Sequence, residues 1–469
     1  MSNNETEPDV IKRIIGYYIQ KESSEISTVG LSRLTHAVFG SLRVQLNGTF
    51  EIGNAFSKRK FKNWQRAVKN SSSNVKSMIS IGRWDSVTQL SSVLLNVKSR
   101  RMFIESIVDF LKEHQLDGID LFWRWVPLAV QSEFCLFLEE VKIEFLNQEK
   151  QYILSITAPP VGIENYEDGY DIEEIIERVD FVNVYSMNYA APWSNQWGTP
   201  TGPSAPLYGG LDARRKFSVD YTMKYYIRYT RKPEKFNLII PFYVRHWRNV
   251  ENAIKPGIEV FRNVTLQNNG AIGEVYMSRW TAESDGIELS NPSWDDTTKT
   301  LYIWKPETKT FITFETEKSI EAKANYVKSM NLGGVWIWLM ENDDQDNSMI
   351  EAVSGQFGNP SDDQSQYEHV SDKRIIGFYT EDATTEITAS ELSKLTHAVF
   401  GFLYLKTNGT FDILNDRGKG RFKNLNRLIK YENLNVKMMF SIGGWADSTN
   451  FRSVVADVKI KRFEILNYF

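Results

Sequence analysis

Residues 117–125 read Asp-Gly-Ile-Asp-Leu-Phe-Trp-Arg-Trp, and their apolar core, Gly118-Ile119-Asp120-Leu121, is typical of a buried parallel strand. Seven further runs of this kind occur along the chain, and longer stretches with helical periodicity separate them. These runs are Ile14–Tyr18, Thr35–Phe39, Lys76–Ile81, Tyr152–Ile156, Phe181–Tyr185, Leu238–Phe242 and Gly334–Trp338. Eight strands that alternate with helices over about 345 residues predict an α/β fold, a (β/α)8 TIM barrel with its functional residues at the C-terminal strand ends.

The chain between Pro241 and Gly334 is longer than one barrel unit needs. Three runs in this interval alternate apolar and polar residues with period two, which is typical of strands in a half-buried antiparallel sheet. The runs are Glu274–Met277, Thr300–Trp304 and Thr310–Phe314. They predict a small α+β insertion within residues 250–316.

The opening of the barrel sequence recurs near the end of the chain. Residues 12–18, Lys-Arg-Ile-Ile-Gly-Tyr-Tyr, return 361 positions later at 373–379 as Lys-Arg-Ile-Ile-Gly-Phe-Tyr. Because this period far exceeds the roughly 20–50 residues of stacked repeats, it indicates a duplicated domain. The sequence therefore predicts a full barrel at 12–352, a polar linker at 354–372, and a truncated second repeat at 373–469.

The composition argues against several classes of protein. Lys and Arg number 55 against 59 Asp and Glu, a formal net charge of −4, so no nucleic-acid partner is expected. No stretch approaches the roughly 20 apolar residues of a membrane span, and the polar, acidic first residues do not resemble a secretory signal. The single cysteine, Cys135, and five scattered histidines show no metal-ligand spacing, so we expect neither a metal nor another cofactor. Cys135 is expected to pack as a core thiol.

Five landmarks together resemble glycoside hydrolase family 18, the chitinases and chitinase-like lectins. They are Ser80-Ile81-Gly82-Arg83-Trp84, Asp117-Gly118-Ile119-Asp120, Phe181-Val182-Asn183, Pro241-Phe242-Tyr243-Val244-Arg245, and Gly333-Gly334-Val335 leading to Trp338. The resemblance covers residues 12–352 in order and again 373–469. It implies that residues 250–316 form the family's chitinase insertion domain beside the substrate cleft. It also favours an extracellular location, although no signal is visible.

The catalytic signature of the resembled family is degenerate in this chain. The pattern Asp-x-x-Asp-x-Asp-x-Glu falls on Asp117, Asp120, Phe122 and Arg124. The resemblance implies that the glutamic acid would protonate the glycosidic oxygen and that the neighbouring aspartate would orient the substrate's N-acetyl group. Arginine stays charged at physiological pH and cannot replace that acid. Because loss of a positioned general acid costs roughly 10²–10⁴ in rate, we expect no catalytic residue and no hydrolysis.

The residues that would hold the sugar are partly retained. The resemblance places Trp338, Trp84, Tyr243 and Arg245 at cleft positions, where aromatic faces and guanidinium donors bind pyranose rings. Met187 and Asn188 fall where the family has a tyrosine and an aspartate, although Tyr189 could supply a hydroxyl by a shift of two positions. Three other residues argue for a narrowed cleft, because Arg83 and Val244 replace glycines and Lys21 replaces a stacking tryptophan.

Three functions remain open from the sequence. The leading hypothesis is a catalytically inactive chitinase-like protein that binds chitin, chitooligosaccharides or other N-acetylglucosamine glycans, in defence or matrix remodelling. The second is an interaction scaffold with an occluded cleft, which recognises a protein partner or self-associates through the partial repeat. The third is a weak residual chitin hydrolase.

Overall fold

The computed structural model describes most of the first 358 residues and part of the second repeat. The described residues are 12–19, 28–71, 75–84, 87–211, 214–268, 270–358, 376–380, 387–392, 394–407, 411–431 and 436–445.

The strands are β1 (Arg13–Ile19), β2 (His36–Val44), β3 (Asn47–Gly48), β4 (Phe50–Asn54), β5 (Lys76–Trp84), β6 (Gly118–Leu121), β7 (Ile153–Ala158), β8 (Phe181–Val184), β9 (Phe236–Pro241), β10 (Val244–Arg248), β11 (Val250–Ala253), β12 (Arg262–Val264), β13 (Ile272–Met277), β14 (Ser293–Asp295), β15 (Thr300–Lys305), β16 (Thr310–Phe314), β17 (Gly334–Trp338), β18 (Ile376–Thr380), β19 (His397–Thr407), β20 (Phe411–Asn415) and β21 (Lys437–Trp445). The helices are α1 (Thr28–Leu31), α2 (Ala55–Lys69), α3 (Val87–Leu94), α4 (Val97–His114), α5 (Gln131–Leu146), α6 (Ile172–Arg178), α7 (Val219–Thr230), α8 (Arg279–Ser284), α9 (Glu317–Ser329), α10 (Ser348–Phe357), α11 (Ala389–Leu392) and α12 (Asp416–Tyr431).

Eight parallel strands of the first copy close into a barrel. Their order is β1, β2, β5, β6, β7, β8, β9 and β17, and β17 pairs back to β1 through Ile15 and Trp336. Each strand corresponds to one of the eight runs that the sequence indicated, so the predicted (β/α)8 barrel is confirmed. The closed ladder satisfies the backbone groups of these strands and directs their C-terminal ends to one rim.

Helix α4 illustrates why the helical segments form where they do. It begins after Asn96, whose side-chain oxygen accepts a hydrogen bond from the Ser99 amide at 3.1 Å. It ends at Gln115, whose backbone is in the left-handed conformation that terminates helices. Phe103 and Ile107, four residues apart, are buried on one face against the barrel. The capping residue and the apolar face together fix α4 as the outer layer over the strands.

The insertion lies between β9 and α9. A five-stranded antiparallel sheet, in the order β13, β10, β16, β15 and β14, forms there together with helix α8 and the two-stranded pair β11–β12. The three predicted strands of this region are present in the structure as β13, β15 and β16. Strand β10 leaves the barrel directly after β9, and therefore connects the insertion to the barrel rim.

Strands of the second copy pair with the same barrel. β18 pairs with β1 and β17, and β21 pairs with β5 and β19. Pairing follows the repeat, since Gly16 lies opposite Gly377 and Gly82 lies opposite Gly443. The partial second repeat therefore has the strand arrangement of the first, as far as the chain is described.

Three further predictions from the sequence concern a membrane span, a metal site and the single cysteine. No helix in the described ranges is long and apolar enough to cross a membrane. The same ranges contain no group of three or more His, Cys, Asp or Glu residues that could hold a metal ion. Cys135 lies on α5, where it is partly buried and packs against the hydrophobic core. Burial raises the pKa of its thiol to about 12, which keeps it protonated and unreactive at neutral pH.

Candidate functional site

The two retained aspartates of the signature lie at different depths. Asp117 precedes β6, at the N-terminal end of the strand, where its carboxylate contacts Lys150 Nζ at 2.8 Å and accepts from the Ser77 amide at 3.1 Å. Asp120 lies inside the barrel and is fully buried. Asp117 therefore lies at the end of β6 that is opposite the rim. Of the two aspartates, only Asp120 faces the barrel centre.

Three donors of the first copy contact Asp120. Its carboxyl oxygens accept hydrogen bonds from Ser155 Oγ at 2.5 Å, Thr157 Oγ1 at 3.1 Å and Asn183 Nδ2 at 3.0 Å. Burial raises the pKa of Asp120 well above its ordinary value, although these hydrogen bonds act in the opposite direction. We therefore expect Asp120 to be neutral at pH values where an exposed aspartate is charged.

The raised pKa predicts a pH-dependent stability. A carboxyl group with a higher pKa in the folded state binds an extra proton there, so its contribution to stability falls as pH rises above about 4. Asp120→Asn removes this dependence, so the unfolding free energy of the wild type should fall relative to that of the variant between pH 5 and pH 6. Urea unfolding of both proteins at both pH values measures this difference in unfolding free energy. Parallel pH dependences of the two proteins would show that Asp120 is ionised in the fold.

Phe122, at the third position of the signature, belongs to an aromatic cluster at the barrel centre. β6 ends at Leu121, so Phe122 follows the strand, and only 3% of it is exposed. Its ring centroid lies 5.4 Å from that of Trp338, 5.9 Å from Tyr185 and 6.2 Å from Tyr17. Packed rings therefore fill the position at which the resembled family has a carboxylate.

Arg124 lies at the rim, two residues beyond Phe122. The carbon of its guanidinium group is 4.7 Å from the centroid of the Tyr185 ring and 5.6 Å from that of Trp125, distances at which a cation is attracted to an aromatic face. Burial raises the pKa of the Tyr185 hydroxyl well above its ordinary value, and the charge of Arg124 partly opposes this. The position of the expected proton donor thus carries a fixed positive charge.

Arg124 also lines an open cavity of about 470 Å³, which we call the Arg124 cavity. This volume is within the roughly 300–1,000 Å³ that is typical of small-molecule sites. Aromatic rings, a carboxylate and an amide surround it, and its lining residues are Val87, Arg124, Trp125, Val126, Pro127, Leu128, Glu164, Asn165, Tyr166 and Gly169. The Trp125 and Tyr166 ring centroids are 5.9 Å apart. Apolar faces next to directed polar groups are a suitable chemistry for a sugar ring.

The residues Asn188, Tyr243 and Arg245 form one hydrogen-bonded network beside the cluster. Asn188 Oδ1 accepts from Tyr243 Oη at 2.8 Å and from Arg245 Nη2, and Arg245 Nη2 also donates to Tyr243 Oη at 3.0 Å. Asn188 Nδ2 donates to Tyr185 Oη at 2.5 Å and to Tyr276 Oη at 2.9 Å. The sequence thus identified residues that meet in space, and the structure shows that they bind one another.

The other predicted ligand-binding residues differ in exposure. Trp338 ends β17 and is 9% exposed, because the Tyr17 ring lies 4.7 Å from it and Phe122 covers another side. Met187 is fully buried, with its sulfur 3.5 Å from Tyr243 Oη. The side chain of Trp84, like that of Arg83, lies outside the described part of the chain, which records only the β5 backbone there. A role for each residue in ligand binding stays a prediction.

Several residues of the site were not identified from the sequence. Tyr189 does not supply the missing hydroxyl, because its Oη is bonded to Thr222 Oγ1 at 2.7 Å and to the Ser218 carbonyl at 3.1 Å. Tyr185 and Tyr276 supply hydroxyls at the site instead. Tyr185 directly follows β8, which is a usable signal for a rim residue in a barrel. Tyr276 comes from the insertion, and no local pattern indicates that β13 reaches the rim.

Comparisons of this chain with a family model and with known proteins point to the same family. The model of the glycosyl hydrolases family 18 matches residues 13–343 and 374–464. Chitinase 1 of Aphanocladium album is 27% identical over 338 residues, which cover 66% of this chain and 75% of that protein.

Two solved structures are similar to this one in fold. A glycoside hydrolase family 18 N-acetylglucosaminidase from Paenibacillus barengoltzii gives a TM-score of 0.62 at 22% identity, covering 74% of this chain and 99% of that one. YKL-39, solved in the presence of chitooligosaccharides, gives a TM-score of 0.63 at 19% identity, again covering 74% and 99%.

Proposed function

The chain belongs to the glycosyl hydrolases family 18, and from that premise we propose that it is a non-hydrolytic, chitinase-like member that binds chitin or N-acetylglucosamine oligosaccharides. The observation that carries the proposal is the guanidinium of Arg124 over the Tyr185 ring, at the position where the family's general acid would lie. A permanent cation there donates no proton of useful acidity and opposes the positive charge of a glycosidic transition state.

The structure supports a sugar site at the rim more than at the barrel floor. Trp338 is largely covered by the Tyr17 and Phe122 rings, whereas the Arg124 cavity is open and has two aromatic side chains on its wall. Arg124 and Asn165 offer hydrogen-bond donors to hydroxyl and acetamido oxygens, and Glu164 offers an acceptor. We therefore place the bound sugar against Trp125 and Tyr166. That YKL-39 was solved with chitooligosaccharides supports the choice of ligand class.

Isothermal titration of the 469-residue chain with chitotetraose tests the proposal. We expect saturable binding with one site, and absence of binding at millimolar ligand would contradict it. The second function, an interaction scaffold, is favoured by one observation, the near-complete burial of Trp338. A null titration together with a defined protein complex would support the scaffold instead.

The Tyr166 ring is expected to carry part of the affinity. Tyr166→Ala removes an apolar face from the Arg124 cavity, and we expect chitotetraose to bind about tenfold more weakly, a change of about 1.4 kcal/mol. Tyr229→Ala is the matched control, because Tyr229 is 47% exposed on α7 and does not line this cavity. Equal affinities of the two variants would show that the sugar binds elsewhere.

A further inference from the structure

The edge of one strand, β17, is paired with two different strands. β1 pairs with it through Ile15 opposite Trp336 and Gly16 opposite Ile337. β18 pairs with it through Ile376 opposite Trp336 and Gly377 opposite Ile337. The register is identical, because Ile376 and Gly377 are the repeat equivalents of Ile15 and Gly16. The other edge of β17 is occupied by β9.

The other strand pairs of the two copies also have the same register. Tyr18 lies opposite Phe39 in the first copy, and Tyr379 lies opposite Phe400 in the second. Likewise, β2 and β5 pair through His36 and Lys76, and β19 and β21 pair through His397 and Lys437. The second copy therefore builds the same three-stranded ladder, β18–β19–β21, as β1–β2–β5.

Equivalent side chains of the two copies occupy equivalent places. The rings of His36 and His397 have centroids 3.3 Å apart and planes within 8° of each other. The ring centroids of Phe39 and Phe400 lie 3.7 Å apart. Those of Phe61 on α2 and its counterpart Phe422 on α12 lie 3.9 Å apart. Because one strand edge offers one row of N–H and C=O groups, a closed barrel has room for only one of the two ladders at a time.

We propose that the two ladders are alternatives within one chain: residues 13–84 and residues 376–445 each complete the barrel whose remaining strands are β6, β7, β8, β9 and β17. The first choice gives a barrel in direct chain order. The second gives a circularly permuted barrel, in which the chain passes from β17 and α10 to β18. The inference does not depend on sugar binding.

The two barrels differ at the centre of the site. Phe402 stacks on Phe122 with ring centroids 4.9 Å apart and planes 18° apart, and its equivalent in the first copy is Ser41. Tyr17, whose hydroxyl donates to Ser80 Oγ at 2.6 Å, is replaced in the second copy by Phe378. The permuted barrel thus places an additional ring over Phe122. The choice between ladders controls how far the barrel centre is filled.

A three-cysteine variant tests the proposal directly. In a Cys135→Ser background, Ile79→Cys and Ile119→Cys place two cysteines opposite each other on β5 and β6. Adding Phe440→Cys introduces the second-copy equivalent of position 79, on β21. We expect mild oxidation to yield two populations of monomer, with a disulfide from position 119 to either 79 or 440, which peptide mapping separates. A matched variant with cysteines only at 79 and 119 verifies that the geometry allows the bond.

Other products would overturn the proposal. Formation of the 79–119 disulfide alone would show that only the first ladder enters the barrel. A disulfide between position 119 of one chain and 440 of another would show exchange between two molecules instead of within one.

Paired core substitutions give a second test that does not depend on disulfide geometry. Val38 on β2 and its equivalent Val399 on β19 are both fully buried. We expect Val38→Asp alone and Val399→Asp alone to keep a cooperative thermal transition, because the intact ladder completes the barrel. The double variant should lose that transition. If Val38→Asp alone abolishes folding as completely as the double variant, the second ladder does not replace the first.

Discussion

Replacing Phe122 by aspartate, the residue that the family signature has at this position, is expected to lower the free energy of unfolding by at least about 3 kcal/mol. Phe122 is 3% exposed, and four rings surround it, those of Tyr17, Tyr185, Trp338 and, from the second copy, Phe402. The substitution removes these contacts and buries a carboxyl group among aromatic carbons. Position 122 has thus become part of the hydrophobic core.

Urea unfolding of the variant measures this cost. Phe122→Leu is the matched control, because it keeps an apolar side chain and should cost about 1.5 kcal/mol or less. An aspartate variant as stable as the leucine variant would show that the barrel centre is hydrated and can accept a carboxylate. In that case packing at position 122 would not exclude a catalytic carboxylate there.

The second large effect concerns turnover. The chain is expected to release no fluorophore from a fluorogenic chitobioside above the rate in buffer, since loss of the general acid alone costs roughly 10²–10⁴. Arg124→Glu is expected to remain at that baseline, because Phe122 and Met187 still lack the groups that would orient the N-acetyl group. Both proteins are assayed at equal concentration under the same conditions.

A carboxylate near Arg124, that of Glu164, provides the control for residual hydrolysis. Glu164 lines the Arg124 cavity and accepts a hydrogen bond from Tyr166 Oη at 2.6 Å. If the wild type releases fluorophore and Glu164→Gln does not, Glu164 acts as a substitute acid. The chain would then be a residual hydrolase, and the proposed function would be wrong.

The barrel could be predicted because its signals are local. A buried parallel strand is a short apolar run, and the eight runs were recognisable one by one, from Ile14–Tyr18 to Gly334–Trp338. Because alternate side chains of a strand share a face, Asp120 and Phe122 are expected on the same side, and both side chains lie at the barrel centre. Asp117 was grouped with them by the signature alone, although it lies before the strand and contacts Lys150.

Contacts between distant elements could not be predicted in the same way. Tyr276 reaches Asn188 only because β13 of the insertion folds back on the rim, and that placement depends on tertiary packing. The sequence revealed the repeat but not its pairing with β17, because equal copies have equal local preferences. Competition for one strand edge appears only when both copies are placed around the same barrel.

Binding without hydrolysis can be measured on the sugar itself. Chitotetraose is incubated with the 469-residue chain, the complex is separated from free ligand, and the bound sugar is released and weighed by mass spectrometry. We expect intact chitotetraose in stoichiometric amount from the wild type, and a reduced amount from Tyr166→Ala. Recovery of shorter fragments, or of no sugar with the wild type, would contradict it.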